Sequence, residues 1–183
     1  MKHAIGPRKE LSVRTMFNLL GPLTNPANAP HQVLGVFNTH WVEPLVKVLQ
    51  LLGSQHVLAV HANDGLDEIS TTAETRYTEL TPDGEISSGT LSPSELGFSV
   101  TDLKSLKGGE PDENAEIIKN ILVGEPGPRR DVVVANASAS LVAAGKAEDF
   151  QEGAELAIRS IDNGEATNRL RHLAEFTTRI SEQ

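Results

Sequence analysis

Two short apolar runs, QVLGVF at residues 32–37 and HVLAVH at 56–61, flank a segment of residues 40–52 whose apolar positions recur with helical spacing. Trp41, Val42, Leu45, Val46, Leu49 and Leu52 fall on one face of that segment. Pro44 has no amide proton and is tolerated only in a first helical turn, so it fixes the helix start near Trp41. Gly53 ends the helix. Strand, helix and strand within about thirty residues make a βαβ unit with parallel strands, and its crossover should be right-handed. The expected fold class is therefore α/β: a parallel-type mixed sheet flanked by helices.

The remaining elements fit around that unit. Residues 75–80 and 85–91 read as two strands joined by the turn Pro82-Asp83-Gly84. Residues 92–111 lack a period, with Leu96, Phe98, Val100, Leu103 and Leu106 as anchors. A helix is expected over 113–122, N-capped by Asp112. Residues 131–145 begin with three valines but continue rich in alanine, and helix is the preferred reading. Phe150, Ala154, Ala157, Ile158 and Ile161 define another helix, and Ala166, Leu170, Leu173, Ala174 and Thr177 a last one. These closing helices are expected to be packing layers. Upstream, Leu11, Val13, Met16, Phe17, Leu19 and Leu20 mark a helix over 9–20, stopped by Gly21-Pro22 and followed by the proline-rich loop GPLTNPANAP. All 183 residues read as one α/β domain.

Composition narrows the chemistry. There is no cysteine, which removes disulfides, thiolate metal sites and cysteine nucleophiles together. No apolar run is long enough to span a bilayer and the N-terminus has no signal-peptide core, so a cytoplasmic protein is expected. A net charge of −9 argues against nucleic acid and anionic membranes as partners. The charge is uneven: Lys2, Arg8, Lys9 and Arg14 against Glu10 give residues 1–14 a net +3, leaving −12 for the rest. A basic patch on an acidic protein suits a small anionic ligand, unless it is a chance cluster of surface charge.

Sheets of this kind place ligands beyond the carboxyl ends of their strands. The loop HANDGLDEIST, after the second apolar run, therefore stands where chemistry is expected. Its adjacent carboxylates, Asp67 and Glu68, are either solvated loop charges or hard oxygen ligands for Mg²⁺ completed by substrate phosphates. Arg8 could grip a carboxylate or phosphate with a bidentate fork, Lys9 only as a point charge. His61, next to the acidic loop, is either a functional group or a hydrogen-bonded structural histidine. The histidines show no HExxH spacing, and neither GxSxG, GxGxxG nor GxxxxGK[ST] occurs.

The run RTMFNLLGPLTNP at 14–26, GLDEIS at 65–70 and GGEPDENAEIIKNIL at 108–122 resemble the anthranilate phosphoribosyltransferases of tryptophan biosynthesis. The resemblance covers essentially the whole chain, and its first motif is the specific one. It implies transfer of phosphoribosyl from phosphoribosyl pyrophosphate to the amino nitrogen of anthranilate, with Mg²⁺ and release of pyrophosphate. By the same resemblance Arg8 matches the arginine for the anthranilate carboxylate. Gly21 and Pro22 match the loop lining the anthranilate channel, and Asp67 and Glu68 the acidic pair on the metal. The implied fold is the α/β domain shared with nucleoside phosphorylases, and the implied parent enzyme a homodimer.

The departures matter too. Family members carry a helical domain, a GTGGD-type phosphate loop, a Lys-His-Gly loop and a His-Pro pair ahead of the residues matching Met1-Lys2, and this sequence contains none of them. The expectation is a C-terminal portion of the enzyme, inactive by itself, that begins inside the large domain. Ala62 replaces a glycine common after the histidine, a small change. Alternatives are a pyrimidine nucleoside phosphorylase-like enzyme, which Arg8 and the GPLTNP loop oppose, and a non-catalytic, nucleic-acid-binding member of the fold. A structural or regulatory partner of a separate N-terminal piece is a third.

Overall fold

The structure, a computed structural model, describes residues 17–181. Four strands form one sheet in the order β1 (His31–Gly35), β2 (His56–Ala62), β3 (Thr75–Leu80) and β4 (Ile86–Leu91). β1 and β2 are parallel, with His31 opposite His56 and Gly35 opposite Val60; β3 and β4 continue the sheet antiparallel. The expected mixed sheet is thus present. Between β1 and β2 runs helix α2 (Val42–Leu51), following helix α1 (Phe17–Leu23). The carboxyl-terminal part adds α3 (Pro111–Leu122), α4 (Pro128–Ala143), α5 (Phe150–Asp162) and α6 (Glu165–Ser181).

β2 sits between β1 and β3 and is buried along nearly its whole length. The period of two sends its side chains to two separate cores. Val57 and Ala59 pack with Leu34, Val36 and the buried face of α2, namely Val42, Leu45, Val46 and Leu49. Leu58 and Val60 pack on the other side with Val134, Ala135, Ala139 and Val142 of α4 and with Ala154, Ala157 and Ile161 of α5. The layers are therefore helix, sheet, helix. α4 lies against β1 and β2, and the His31 Nδ1–H donates to the Ala143 carbonyl at 2.6 Å. That bond joins the amino end of β1 to the carboxyl end of α4, so the two run in opposite directions.

α4 and α5 approach closely because Gly153 has no side chain. A Cβ there would meet Ser138 Oγ at 2.7 Å and the Ser138 carbonyl at 2.8 Å. The Ser138 hydroxyl itself donates to the Phe150 carbonyl at 2.5 Å. On the sheet, Gly89 stands opposite Tyr77 and leaves room for its ring, which packs edge-on against Phe150 at 5.3 Å.

Several expectations need correction. Gly21-Pro22 does not stop α1, which continues to Leu23: a proline this close to the end costs one intrahelical bond, and the Thr24 hydroxyl takes up the Leu20 carbonyl at 2.8 Å. Trp41 and Leu52 are exposed, because a 3-10 turn over Thr39–Trp41 precedes α2 and Leu52 lies past its last turn. Val100 and Leu103 are exposed as well; the segment uses two 3-10 turns, Pro93–Leu96 and Leu103–Leu106, and only Leu96 among these anchors is buried. Glu110, not Asp112, holds the N-cap position of α3, since Pro111 is pre-set for the first helical residue. α6 is no packing layer over most of its length: Leu170, Leu173, Phe176 and Ile180 are exposed among the described residues. The turn Pro82-Asp83-Gly84 and the hairpin it joins are as expected, with Gly84 at φ 85°. Among the described residues no helix is long and apolar enough to cross a membrane.

Gly153→Ala should lower stability by about 1–3 kcal/mol in urea unfolding, because the added methyl must push α5 off Ser138. An unchanged midpoint would mean that the α4–α5 contact is looser than the geometry requires.

Candidate active site

Because β1 and β2 are parallel, their carboxyl ends lie on the same edge of the fold. After Ala62 the chain enters the loop 63–74 and returns as β3. The turn is tight: the Gly65 amide donates to the Ala62 carbonyl at 3.0 Å, and the Ala62 amide to the Leu66 carbonyl at 2.9 Å. Gly65 adopts φ 96°, a region open chiefly to glycine. Asp64 organises the interior of the loop. Its carboxylate accepts from the Ser70 hydroxyl at 2.6 Å, from the Thr72 hydroxyl and from the Leu66 amide at 3.1 Å. Burial pushes the Asp64 carboxyl up, but the Ser70, Thr72 and Leu66 hydrogen bonds together outweigh it, and its pKa lies below the ordinary 3.8.

Asp67 and Glu68 occupy the crest of this loop and both are exposed. Their backbone is fixed from three sides. The Asp67 carbonyl passes so close to the end of β1 that a Cβ on Gly35 would meet it at 1.9 Å. Ile69, the next residue after the pair, is buried, and its amide donates to Asn136 Oδ1 at 2.9 Å while its carbonyl accepts from Asn136 Nδ2 at 2.8 Å. The Ser70 amide donates to the Thr75 hydroxyl at 3.0 Å. The carboxylates themselves make no hydrogen bond or ion pair among the described residues.

This donor set suits a hard cation held in part by its ligand. Among the described residues no group of three or more His, Cys, Asp or Glu could hold a metal alone. Two neighbouring carboxylates on a fixed backbone are what Mg²⁺ uses when water and substrate phosphates supply the other oxygens.

The other sequence-derived candidates fall elsewhere. His61 is structural in its contacts: its Nδ1–H donates to the Val36 carbonyl at 2.7 Å and ties the exit of β1 to β2. Pro22 lines a small cavity of about 130 Å³ together with Gln32, Leu49, Gly53 and Ser54, at the amino end of β1 and the carboxyl end of α2. Gly21 is exposed beside it. Gly21-Pro22 and Asp67-Glu68 therefore lie towards opposite ends of the β1–β2 pair. Arg8, Lys9 and Arg14 lie outside the described residues.

Sequence reasoning missed Gly35 and Asn136. A glycine inside an apolar strand is a signal of close backbone approach, and it was available at Gly35. Asn136 carried only a faint signal, a polar residue in an alanine-rich helix.

In α/β sheets the crevice beyond the carboxyl ends of parallel strands is where ligands bind, and the exposed acidic loop stands there. Residues 1–167 match the family described as Glycosyl transferase family, a/b domain, and the chain belongs to it. It is 50% identical over 177 residues to the anthranilate phosphoribosyltransferase of Thioalkalivibrio sulfidiphilus, covering 97% of this chain and 52% of that protein. With the enzyme of the same name from Geobacter sulfurreducens the identity is 52%, over 97% of this chain and 50% of the other. Among solved structures, anthranilate phosphoribosyltransferase from Thermus thermophilus superposes with a TM-score of 0.87 at 42% identity, over 96% of this chain and 52% of that one. The Saccharomyces cerevisiae enzyme in complex with PRPP and Mg gives 0.81 at 29%, over 94% and 50%. The chain thus spans about half the length of the relatives it matches.

Since the folded state holds the Asp64 proton less readily than the unfolded chain, its stabilising contribution is complete above the ordinary 3.8 and is lost as pH falls through the folded value. Asp64→Asn should cost on the order of 1–3 kcal/mol at neutral pH. The gap between wild type and variant should stay level from about pH 5 to 7 and shrink below about pH 4, read from urea titrations at each pH. A gap independent of pH would show that the carboxylate charge contributes nothing.

Proposed function

We propose that this chain supplies the metal–pyrophosphate side and part of the acceptor side of an anthranilate phosphoribosyltransferase, as one partial α/β domain. The observation that carries this reading is the exposed Asp67–Glu68 pair on a backbone pinned by Gly35 and Asn136. In the reaction, the amino nitrogen of anthranilate forms a bond to C1′ of phosphoribosyl pyrophosphate. The C1′–oxygen bond breaks with its electron pair leaving on pyrophosphate, and the amine releases a proton. Mg²⁺, when bound, supplies Lewis-acid stabilisation of charge on the departing pyrophosphate. Asp67 and Glu68 would hold it through carboxylate oxygens. Arg8 would bind the anthranilate carboxylate through its guanidinium fork. By the family resemblance Gly21 and Pro22 would shape the channel for the ring, on the side of the β1–β2 pair away from the acidic loop. No residue of the chain has to act as a covalent nucleophile, so positioning is what the protein contributes.

The chain covers half of its relatives, so further pyrophosphate and ribose contacts are assigned to the half that it does not match. The full assembly is expected to work in the cytoplasm as a homodimer.

The test uses the purified 183-residue chain with Mn²⁺ as an EPR-visible substitute for Mg²⁺ and pyrophosphate as ligand. Asp67→Asn/Glu68→Gln should weaken retention of Mn²⁺–pyrophosphate by about tenfold or more, with the fold unchanged by circular dichroism because both side chains are exposed. Equal retention by the variant would sink the metal assignment. Arg8→Ala should abolish anthranilate binding measured by calorimetry. Mixed with phosphoribosyl pyrophosphate, Mg²⁺ and anthranilate, the chain alone should form no product; turnover would show that its own residues complete the site.

A further inference from the structure

Asp67 and Glu68 project from a loop that has no regular secondary structure, yet the backbone on both sides of them is hydrogen-bonded, at Leu66, Ile69 and Ser70. Asn136, about two turns into α4, provides part of that hold. Its carboxamide faces the backbone of Ile69 and makes the pair of hydrogen bonds that a neighbouring strand would make, one accepted and one donated, at 2.9 and 2.8 Å. A third bond, from Nδ2 to the Val132 carbonyl at 2.9 Å, locks the side chain to its own helix. Ile69 can donate only through N–H and accept only through C=O, so the orientation of the amide is fixed by its partners. On the opposite side, the missing side chain of Gly35 lets the Asp67 carbonyl settle against β1. The loop is gripped between α4 and β1, one residue past the acidic pair and at the pair itself.

We propose that Asn136 is a positioning residue for Asp67 and Glu68: from α4 it fixes the backbone on which the two carboxylates are presented to a divalent cation. The inference rests on the metal reading of that pair. Two carboxylates on a wandering loop bind a cation weakly, since ordering the loop then opposes binding; a loop ordered beforehand removes that cost. Asn136 touches neither carboxylate, so its effect runs through Ile69. Outer groups that orient metal ligands typically change affinity by about 10- to 100-fold when removed. An aspartate could not replace it, because a carboxylate oxygen would face the Ile69 and Val132 carbonyls where a donor now stands.

The experiment compares the wild-type chain with Asn136→Ala, Asn136→Ser and Ser138→Ala. Serine at 136 is too short to reach Ile69 but can still bond the carbonyl four residues back, so it removes the grip while sparing α4 and serves if the alanine variant does not fold. Ser138→Ala is the control for general damage, because it deletes a buried hydrogen bond of the same helix, to Phe150, without touching the loop. Two quantities are read: Mn²⁺ affinity by EPR in the presence of pyrophosphate, and amide hydrogen exchange at Ile69. The 136 variants should weaken Mn²⁺ binding by about tenfold or more and expose the Ile69 amide, with Val134 and Ala139 still protected. Ser138→Ala should lower thermal stability and leave both readings alone. Unchanged exchange at Ile69 in the 136 variants, or an equal affinity loss in Ser138→Ala, overturns the proposal. Should wild type itself retain no Mn²⁺, the metal reading fails separately, and the exchange at Ile69 still decides whether Asn136 holds the loop.

Discussion

Water is excluded from both faces of β2, and the rest of the fold follows from that exclusion. A strand buried on two sides cannot alternate polar and apolar residues; it needs an apolar covering above and below. Val57 and Ala59 find it in α2, Leu58 and Val60 in α4 and α5. Once helices cover both faces, only the edges and ends of the sheet remain for polar chemistry. The parallel pairing of β1 with β2 then puts two strand exits side by side, and the acidic loop leaves from one of them across the other.

The loop divides its groups between two duties. Asp64 is turned inward and saturated by Ser70, Thr72 and Leu66, so its charge is spent on the shape of the turn. Asp67 and Glu68 are turned outward and have no partner among the described residues, so their charge is available to a ligand. Three acidic residues within five positions thus carry different roles, set by which of them the loop hydrogen-bonds. The division depends on backbone contacts made by residues that bear no charge, chiefly Gly35, Ile69 and Asn136.

Much of this was legible in the sequence. The spacing of residues 32–61 gave the βαβ unit, the Pro82-Asp83-Gly84 turn gave the hairpin, and the place of GLDEIS after an apolar run pointed to the strand exit. What escaped depends on contacts between distant parts of the chain. Asn136 lies 67 positions from Ile69, and no local pattern reports such a pairing. Val100 and Leu103 are apolar, but one lies in irregular chain and the other in a short 3-10 turn, neither of which has a long face to bury, and hydrophobicity alone overstated their role. Gly21-Pro22 signalled a helix end correctly in kind but three residues early in place, since a proline so near the carboxyl end removes a single helical bond and the chain can complete the turn to Leu23.

Gly35 makes the fold unusual to engineer. By strand propensity it is a weak point, because glycine costs backbone entropy and packs nothing in a sheet. A stability screen scoring β1 in isolation would replace it with valine or isoleucine. Any side chain there would strike the Asp67 carbonyl, so the gain in the strand would be taken out of the loop. At this position a side chain that stiffens the sheet and a loop packed against the end of β1 exclude one another. The glycine gives up the first and permits the second.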